Sequence, residues 1–311
     1  MDATGLARAF GLPGRSTLSD GPVARGKQGV MWRLDTDEGA FAVKVPFDPD
    51  VEKDHTTFAA FQEAALAAGV PTPAIRRTPE GSVFAEVAGA TVRLYTWVDL
   101  LDVDLDLDPR GVGRTLALLH QVPFEGGTER DPWFEEAVPD ATWSALVDDL
   151  LAAGAPFALE LAELRPALAE VASWITPLRG TRMCHRDLWA DNLRATVEGG
   201  LCVIDWEDCG AADPARELAC ALFEFARRRP DRARSLHDAY VEAGGPGRVR
   251  HREDFSMLAA QLDHISHQAA SDWLTPNPRS PERADAEAWL RETLDDPHTP
   301  EVLDEILDAV R

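Results

Sequence analysis

Two short runs of β-favouring residues, 30–34 and 41–45, flank Asp35-Thr36-Asp37-Glu38-Gly39-Ala40, a combination that predicts a β-hairpin. A helix is predicted over residues 51–68, stopped by Gly69 with Pro71 just beyond. Residues 83–87 and 91–97 give two further strands, joined across Ala88-Gly89-Ala90. An acidic, Leu-alternating connector over 99–108 ends at Pro109, and the character of the chain then changes. Apolar residues recur at helical spacing over 110–120, 143–152 and 159–175, then at Leu258, Leu262, Ile265, Ala269 and Trp273, and finally at Val302, Leu303, Ile306, Leu307 and Val310. Residues 180–207 interrupt the helices with short β-like runs, 201–204 above all. The pattern predicts an α+β protein in two lobes: a small β-rich N-terminal lobe over 1–98 and a larger, mostly helical lobe over 99–311.

Composition narrows this outline only a little. The 311 residues hold 54 acidic against 31 basic side chains, a net charge of −23. A surface that acidic repels nucleic-acid phosphates and anionic membranes, so neither is an expected partner; it would attract a cation, and it also serves solubility. No stretch is apolar for the roughly 20 residues that span a bilayer, and the N-terminus lacks a basic region followed by an apolar core, so a cytoplasmic protein is expected. Cys184, Cys202, Cys209 and Cys220 lack CxxC spacing, which argues for buried, reduced cysteines and against a zinc site.

The chemistry is concentrated in His185-Arg186-Asp187-Leu188-Trp189-Ala190-Asp191-Asn192. It fits the kinase catalytic-loop pattern H-R-D-x-x-x-x-N. Phosphoryl transfer needs a carboxylate to orient the attacking hydroxyl and accept its proton, and oxygen ligands to hold Mg²⁺ on the phosphates. A short loop can bring both to one phosphoryl group. The apolar run Leu201-Cys202-Val203-Ile204 then ends in Asp205-Trp206-Glu207, placing a carboxylate at the exit of a strand, where it suits sparse Mg²⁺ ligation.

The block 185–219 resembles the phosphotransferase family that includes aminoglycoside and macrolide phosphotransferases and, more distantly, choline kinases, with a protein-kinase-like fold. Members typically carry H-G-D-x-x-x-x-N, a strand ending I-D-W, and G-D-P-x-x-D-L-A at a helix start. Here Arg186 replaces the glycine, and Ala212-Asp213-Pro214-Ala215-Arg216-Glu217-Leu218-Ala219 carries Glu217 at the second carboxylate. The resemblance implies that Asp187 is the catalytic base, that Asn192 and Asp205 ligate the metal, and that Lys44 binds nucleotide phosphates. It implies Mg²⁺ and ATP or GTP as cofactors, the first lobe binding nucleotide and the second carrying catalysis and the acceptor. Gly26-Lys27-Gln28-Gly29 stands where a phosphate-covering turn is implied, although such a stretch equally marks a plain turn. Residues 91–98 resemble the strand and hinge beside the adenine, with Leu94, Tyr95, Thr96 and Trp97 as contacts. Members usually pair the strand lysine with a Glu on the first helix. That place falls near Phe58 here, and Asp54 or Glu63 stay open as substitutes. His120, closing Leu116-Ala117-Leu118-Leu119-His120, reads as packing.

Asp213-Pro214 follows Asp205 too soon to leave room for an activation loop, no A-P-E follows, and no full G-x-G-x-x-G-x-V precedes Lys44, which argues against a protein kinase. A small-molecule hydroxyl acceptor remains, an aminoglycoside-type or other cationic antibiotic by the clustering of carboxylates. Candidate acceptor contacts are Glu207, Asp208, Asp263, His267 and Asp272, together with Glu135 and Glu136; each is equally a solvated helix-face residue. His264 and His267, three apart, lack the carboxylate-plus-His set of a metalloenzyme. A metabolic kinase for choline, homoserine, thiamine or a sugar stays open, as does a non-catalytic nucleotide sensor. The oligomeric state is not legible in the sequence.

Overall fold

The computed structural model describes residues 1–26, 29–47, 55–126, 130–178, 180–277 and 282–311. The chain divides into two compact units, Met1–Asp102 with Asn192–Asp208, and Val103–Asp191 with Cys209–Arg311.

The first unit is built on one antiparallel sheet. Its strands are β1 (Ser16–Leu18), β2 (Ala24–Arg25), β3 (Gly29–Thr36), β4 (Gly39–Pro46), β5 (Ile75–Arg76), β6 (Ala85–Val87) and β7 (Ala90–Thr96), and β4 lies between β3 and β7. The predicted 35–40 turn joins β3 to β4, whose register pairs Leu34 with Phe41. Helix α1 (Ala3–Ala9), which the hydrophobic pattern does not reveal, starts where the Asp2 carboxylate accepts from the Gly5 amide at 2.7 Å. Helix α2 (His55–Ala67) ends just before Gly69, whose φ of +92° is the left-handed stop the sequence predicts. Residues 51–54 of the expected helix lie outside the described residues.

Successive strand residues face opposite sides of a sheet. On one side Leu34, Phe41, Val43, Val92 and Leu94 join Leu6 of α1 and Phe10 at its end in an apolar core. The register of β4 and β7 pairs Lys44 with Arg93 and Ala42 with Tyr95, so Lys44, Arg93 and Tyr95 share the opposite face. A hydrophobic core on one face thus fixes where the cations stand on the other.

Four short strands occur later in the chain: β8 (Arg182–Cys184), β9 (Leu193–Ala195), β10 (Leu201–Val203) and β11 (Gly210–Ala212). The β9–β10 hairpin belongs to the first unit, and the β8–β11 pair to the second.

The second unit is otherwise helical. Its helices are α3 (Pro109–His120), α4 (Pro132–Glu135), α5 (Asp140–Ala153), α6 (Ala158–Ala172), α7 (Pro214–Ala226), α8 (Pro230–Glu242), α9 (Ser256–Leu274), α10 (Arg283–Asp295) and α11 (Pro300–Val310). Asp108 caps α3, accepting from the Gly111 amide at 2.9 Å, with Pro109 in the first turn. Helix α3 lies so close to α8 that a Cβ on Gly113 would fall 2.3 Å from the Leu236 carbonyl oxygen, which restricts that position to glycine. Trp143, Leu150, Phe157, Leu161, Ala269, Trp273 and Leu290 form one continuous core across α5, α6, α9 and α10. Complete burial of each large apolar side chain contributes about 1.5–3 kcal/mol. The four cysteines are buried and free, as expected. Among the described residues no helix is long and apolar enough to cross a membrane.

Candidate active site

In the first unit the site is assembled where the sheet meets the end of the β9–β10 hairpin. Pairing of Val203 with Leu193 is extended by one bond, Ile204 N–H to the Asn192 carbonyl at 2.9 Å, so Asn192 is held beside the residue that precedes Asp205. Asp205 leaves β10 with φ at +59°, a left-handed conformation uncommon outside glycine, asparagine and aspartate. The next residue anchors the turn: the Trp206 indole donates to Thr72 Oγ1 at 2.9 Å and meets the Phe61 ring edge-on at 5.5 Å.

Lys44 Nζ donates to Asp205 Oδ1 at 2.8 Å and also pairs with Glu207, while Arg93 Nη1 lies 3.0 Å from the same Glu207 oxygen. Lys44, Arg93 and Glu207 side chains are about nine-tenths buried, and Asp205 keeps 31% exposure. Burial alone would push the Lys44 ammonium down; the Asp205 and Glu207 carboxylates outweigh it and push it up. Burial would likewise push the Glu207 carboxyl up, and the two cations hold it below its ordinary range. Tyr95, on the same sheet face, has its hydroxyl pushed up by burial.

Glu63, one candidate partner of Lys44, instead makes a two-pronged pair with Arg77 at 2.7 and 2.9 Å. Asp54 lies outside the described residues. Gly26 N–H reaches the Gly29 carbonyl at 3.0 Å, and residues 27 and 28 of the expected phosphate-covering turn lie outside the described residues. A Cβ at Gly29 would sit 2.5 Å from the Val45 carbonyl, so strand pairing by itself demands this glycine. Trp97 N–H pairs with the Ala40 carbonyl at 3.0 Å, and its indole donates to Asp99 at 2.7 Å.

In the second unit β8 delivers His185-Arg186-Asp187, with Asp187 half-buried. The loop is held by Glu217 on α7, whose carboxylate accepts from the Arg186 amide at 2.5 Å and the His185 amide at 3.3 Å. The same carboxylate accepts from His120 Nε2 at 2.7 Å, and His120 Nδ1 lies 2.7 Å from the Tyr240 hydroxyl. That hydroxyl also accepts from the Gly247 amide at 2.9 Å. Gln261 on α9 adds a bond to the Arg186 carbonyl at 2.7 Å. Arg186 is left-handed at φ +65°, where the resembled pattern has glycine. Its guanidinium lies over the Phe134 ring at 4.1 Å, and a Cβ on Gly210 would meet it at 2.3 Å.

A sequence profile of the phosphotransferase enzyme family matches residues 22–254. The chain belongs to this family.

Solved structures place the phosphotransferase fold beside several relatives. Spectinomycin phosphotransferase, solved with ADP and spectinomycin, is similar at a TM-score of 0.67 with 13% identity, covering 94% of this chain and 92% of that one. An aminoglycoside phosphotransferase from Alicyclobacillus acidocaldarius gives 0.62 and 17%, again covering 94% and 92%. A choline/ethanolamine kinase family protein from Mesorhizobium loti gives 0.51 and 19%, covering 94% and 93%. No curated protein matches the sequence. The expected α+β, protein-kinase-like arrangement of a small antiparallel sheet and a larger helical part is borne out.

The candidate acceptor residues of this phosphotransferase belong to both units. Glu207 lies between Lys44 and Arg93, and Asp208 beside it is half-buried. Asp263 is an interior anchor, accepting from the Val138 amide and the Trp143 indole, each at 2.8 Å, and from Arg165 at 3.0 Å. Asp272 is buried and accepts from Gln268 at 2.6 Å. His267 packs on the edge of Trp143, and burial pushes its imidazole down. His264 stacks on Trp133 at 5.0 Å, with Nε2 at 3.0 Å from the Glu136 carbonyl.

Among the described residues His120, Cys184 and Glu217 offer ligand atoms within 4.8 Å of one another. Glu217 already serves three donors, and burial, then Glu217 itself, pushes the Cys184 thiol well up and keeps it protonated. The cluster is a hydrogen-bonded hub, and the packing role read for His120 includes holding this carboxylate. Burial pushes the Glu217 carboxyl up, yet the His120 bond and its other donors hold it below the ordinary range. Glu217→Gln puts an NH₂ against groups that are themselves donors. It is expected to cost about 1–3 kcal/mol, the scale for leaving a buried donor without its acceptor, read as a lowered thermal midpoint. An unchanged midpoint would remove Glu217 from this structural role.

Proposed function

We propose that this phosphotransferase moves the γ-phosphoryl group of ATP or GTP to a hydroxyl of a small, positively charged acceptor. The observation that carries the reading is Lys44 bonded to Asp205 at the end of the hairpin that also holds Asn192. An ammonium has three donors, and two are engaged by Asp205 and Glu207, which leaves one for phosphate. Asn192 and Asp205 form an oxygen-only donor set with few protein ligands, which fits Mg²⁺ and leaves room for phosphate oxygens and water. Mg²⁺, when bound, would neutralise charge on the phosphates. Asp187 takes the proton of the acceptor hydroxyl as its oxygen bonds to the γ-phosphorus. The bond from that phosphorus to the bridging oxygen breaks, and the nucleoside diphosphate leaves. Tyr95 and Trp97, with the Gly26–Gly29 turn, border the nucleotide in this reading.

Cation preference is supported by the net charge of −23 and by Asp208 next to the Lys44 partners. His267 and the 131–136 segment, both in the second unit, remain acceptor contacts in this proposal; Asp263 and Asp272 have carboxylate oxygens engaged by their own unit. Aminoglycosides are the first acceptor class to try. Choline, ethanolamine and neutral sugars serve as the metabolic arm of the same panel, with ATP and GTP each as donor. A gain of about 80 Da on one acceptor identifies it. Nucleotide binding without transfer to any acceptor would favour the sensor reading instead.

Charge makes a separate prediction. Between about 0.05 and 0.5 M salt the screening length shrinks severalfold, so the acceptor KM is expected to climb while the nucleotide KM responds less steeply. An acceptor KM indifferent to salt would reject a cationic substrate.

A further inference from the structure

We propose that Glu207, clamped by Arg93, positions Lys44 for nucleotide phosphates, a role that no described carboxylate of α2 takes. This rests on the phosphotransferase reading above. It differs from a role for Glu207 in acceptor binding.

The argument starts on α2. Phe58 lines a cleft that Arg93, Tyr95, Trp206 and Glu207 also line, so at this place the helix presents a phenyl ring. One turn further along, Gln62 donates to Thr72 and to the Pro73 carbonyl, and Glu63 is held by Arg77. No described carboxylate of α2 reaches Lys44.

The charge is supplied from the other side. Lys44 and Arg93 are register partners on adjacent strands, and like charges directly opposed on a sheet repel. Glu207 resolves this by forming an ion pair with both, at a site where all three side chains are about nine-tenths buried. Burying two cations against Glu207, with Asp205 as a second carboxylate on Lys44, is tolerable only with a fixed geometry. That geometry comes from the turn that Trp206 pins to Thr72. Asp205 and Glu207 leave the same turn, so the phosphate-holding cation and the metal-holding carboxylate are fixed to one anchor.

Nucleotide binding, measured by calorimetry with ATP in the presence and absence of Mg²⁺, tests the assignment without needing the acceptor. Glu207→Gln is expected to weaken binding by about ten- to hundredfold, the usual range for losing a residue that orients a ligating group. Adding Phe58→Glu returns a carboxylate from the helix side and is expected to recover most of that loss, which a merely structural role would not allow. Because Glu207→Gln leaves Arg93 unbalanced and Lys44 with Asp205 alone, the double variant Glu207→Gln/Arg93→Met serves as a charge-balanced second form. It is expected to bind as weakly as Glu207→Gln alone, since Arg93 acts through Glu207.

Wild-type affinity in both Glu207 variants would overturn the proposal, and so would a folded Glu207→Gln that Phe58→Glu fails to rescue. A change confined to the Mg²⁺ requirement would instead make Glu207 a metal ligand and overturn it equally. If the wild-type chain binds no nucleotide, the functional reading falls together with it. If the wild-type chain binds nucleotide and the variants match it, only the role of Glu207 falls.

Discussion

Asp205→Asn is expected to lower phosphoryl transfer by at least about three orders of magnitude, the scale on which charge stabilisation of a transferring phosphoryl group works. Asparagine is the informative replacement because Asp205 sits at φ +59°, a conformation asparagine adopts readily and alanine does not. The backbone of the turn, pinned through Trp206, should therefore stay in place. What changes is one negative charge: the expected metal site loses its carboxylate, and Lys44 keeps only Glu207 as an ionic partner. Circular dichroism and the thermal midpoint should remain near wild type. Activity within about tenfold of wild type, a difference of only about 1.4 kcal/mol in barrier, would remove Asp205 from the metal site.

The second large effect belongs to Asp187. Asp187→Asn is expected to lower kcat by about two to four orders of magnitude, the range for losing a positioned acid–base group. The nucleotide KM should barely move, because the proposed partners of the nucleotide lie elsewhere in the chain. The loop itself should survive, since its position depends on Glu217 and Gln261 bonding the backbone of Arg186, contacts the substitution leaves alone. A variant with normal kcat and weakened nucleotide binding would move Asp187 from catalysis to binding.

What could be read in advance follows from the range of the interactions. Lys44, Asn192 and Asp205 are legible because a motif fixes their spacing, and because two hydrophobic strands announce the β3–β4 hairpin. The partner of Lys44 is not legible. It depends on a register that sets Lys44 opposite Arg93 and on a turn far along the chain that brings Glu207 to both.

Helix α9 shows a different limit. Its apolar spacing suggests one inward stripe, with Asp263 and Asp272 outward. In the folded chain Gln261, Asp263, Ser266 and Asp272 are all buried, because α9 is covered on most sides and local donors compensate these groups. Periodicity records which residues dislike water; it does not record which polar residues will find a partner inside. Arg186 is an intermediate case. The sequence shows that an arginine stands where the related pattern has glycine, but the left-handed backbone it keeps is visible only in the fold. Phe134, Glu217, Gln261 and the bare face of Gly210 together hold it there.

The discontinuous first unit has a bearing on synthesis. Its sheet is complete by Asp102, but Asn192–Asp208 must be added from a later stretch of chain. At about 5–20 residues per second, the roughly ninety intervening residues occupy a ribosome for about 5–18 seconds. Throughout that interval Lys44 and Arg93 stand as neighbouring cations with neither Asp205 nor Glu207 yet made. Their repulsion acts on a nascent sheet whose opposite face already carries a finished apolar core. The early strands must thus be held by that core alone, and the charges that make the sheet useful arrive as its last component.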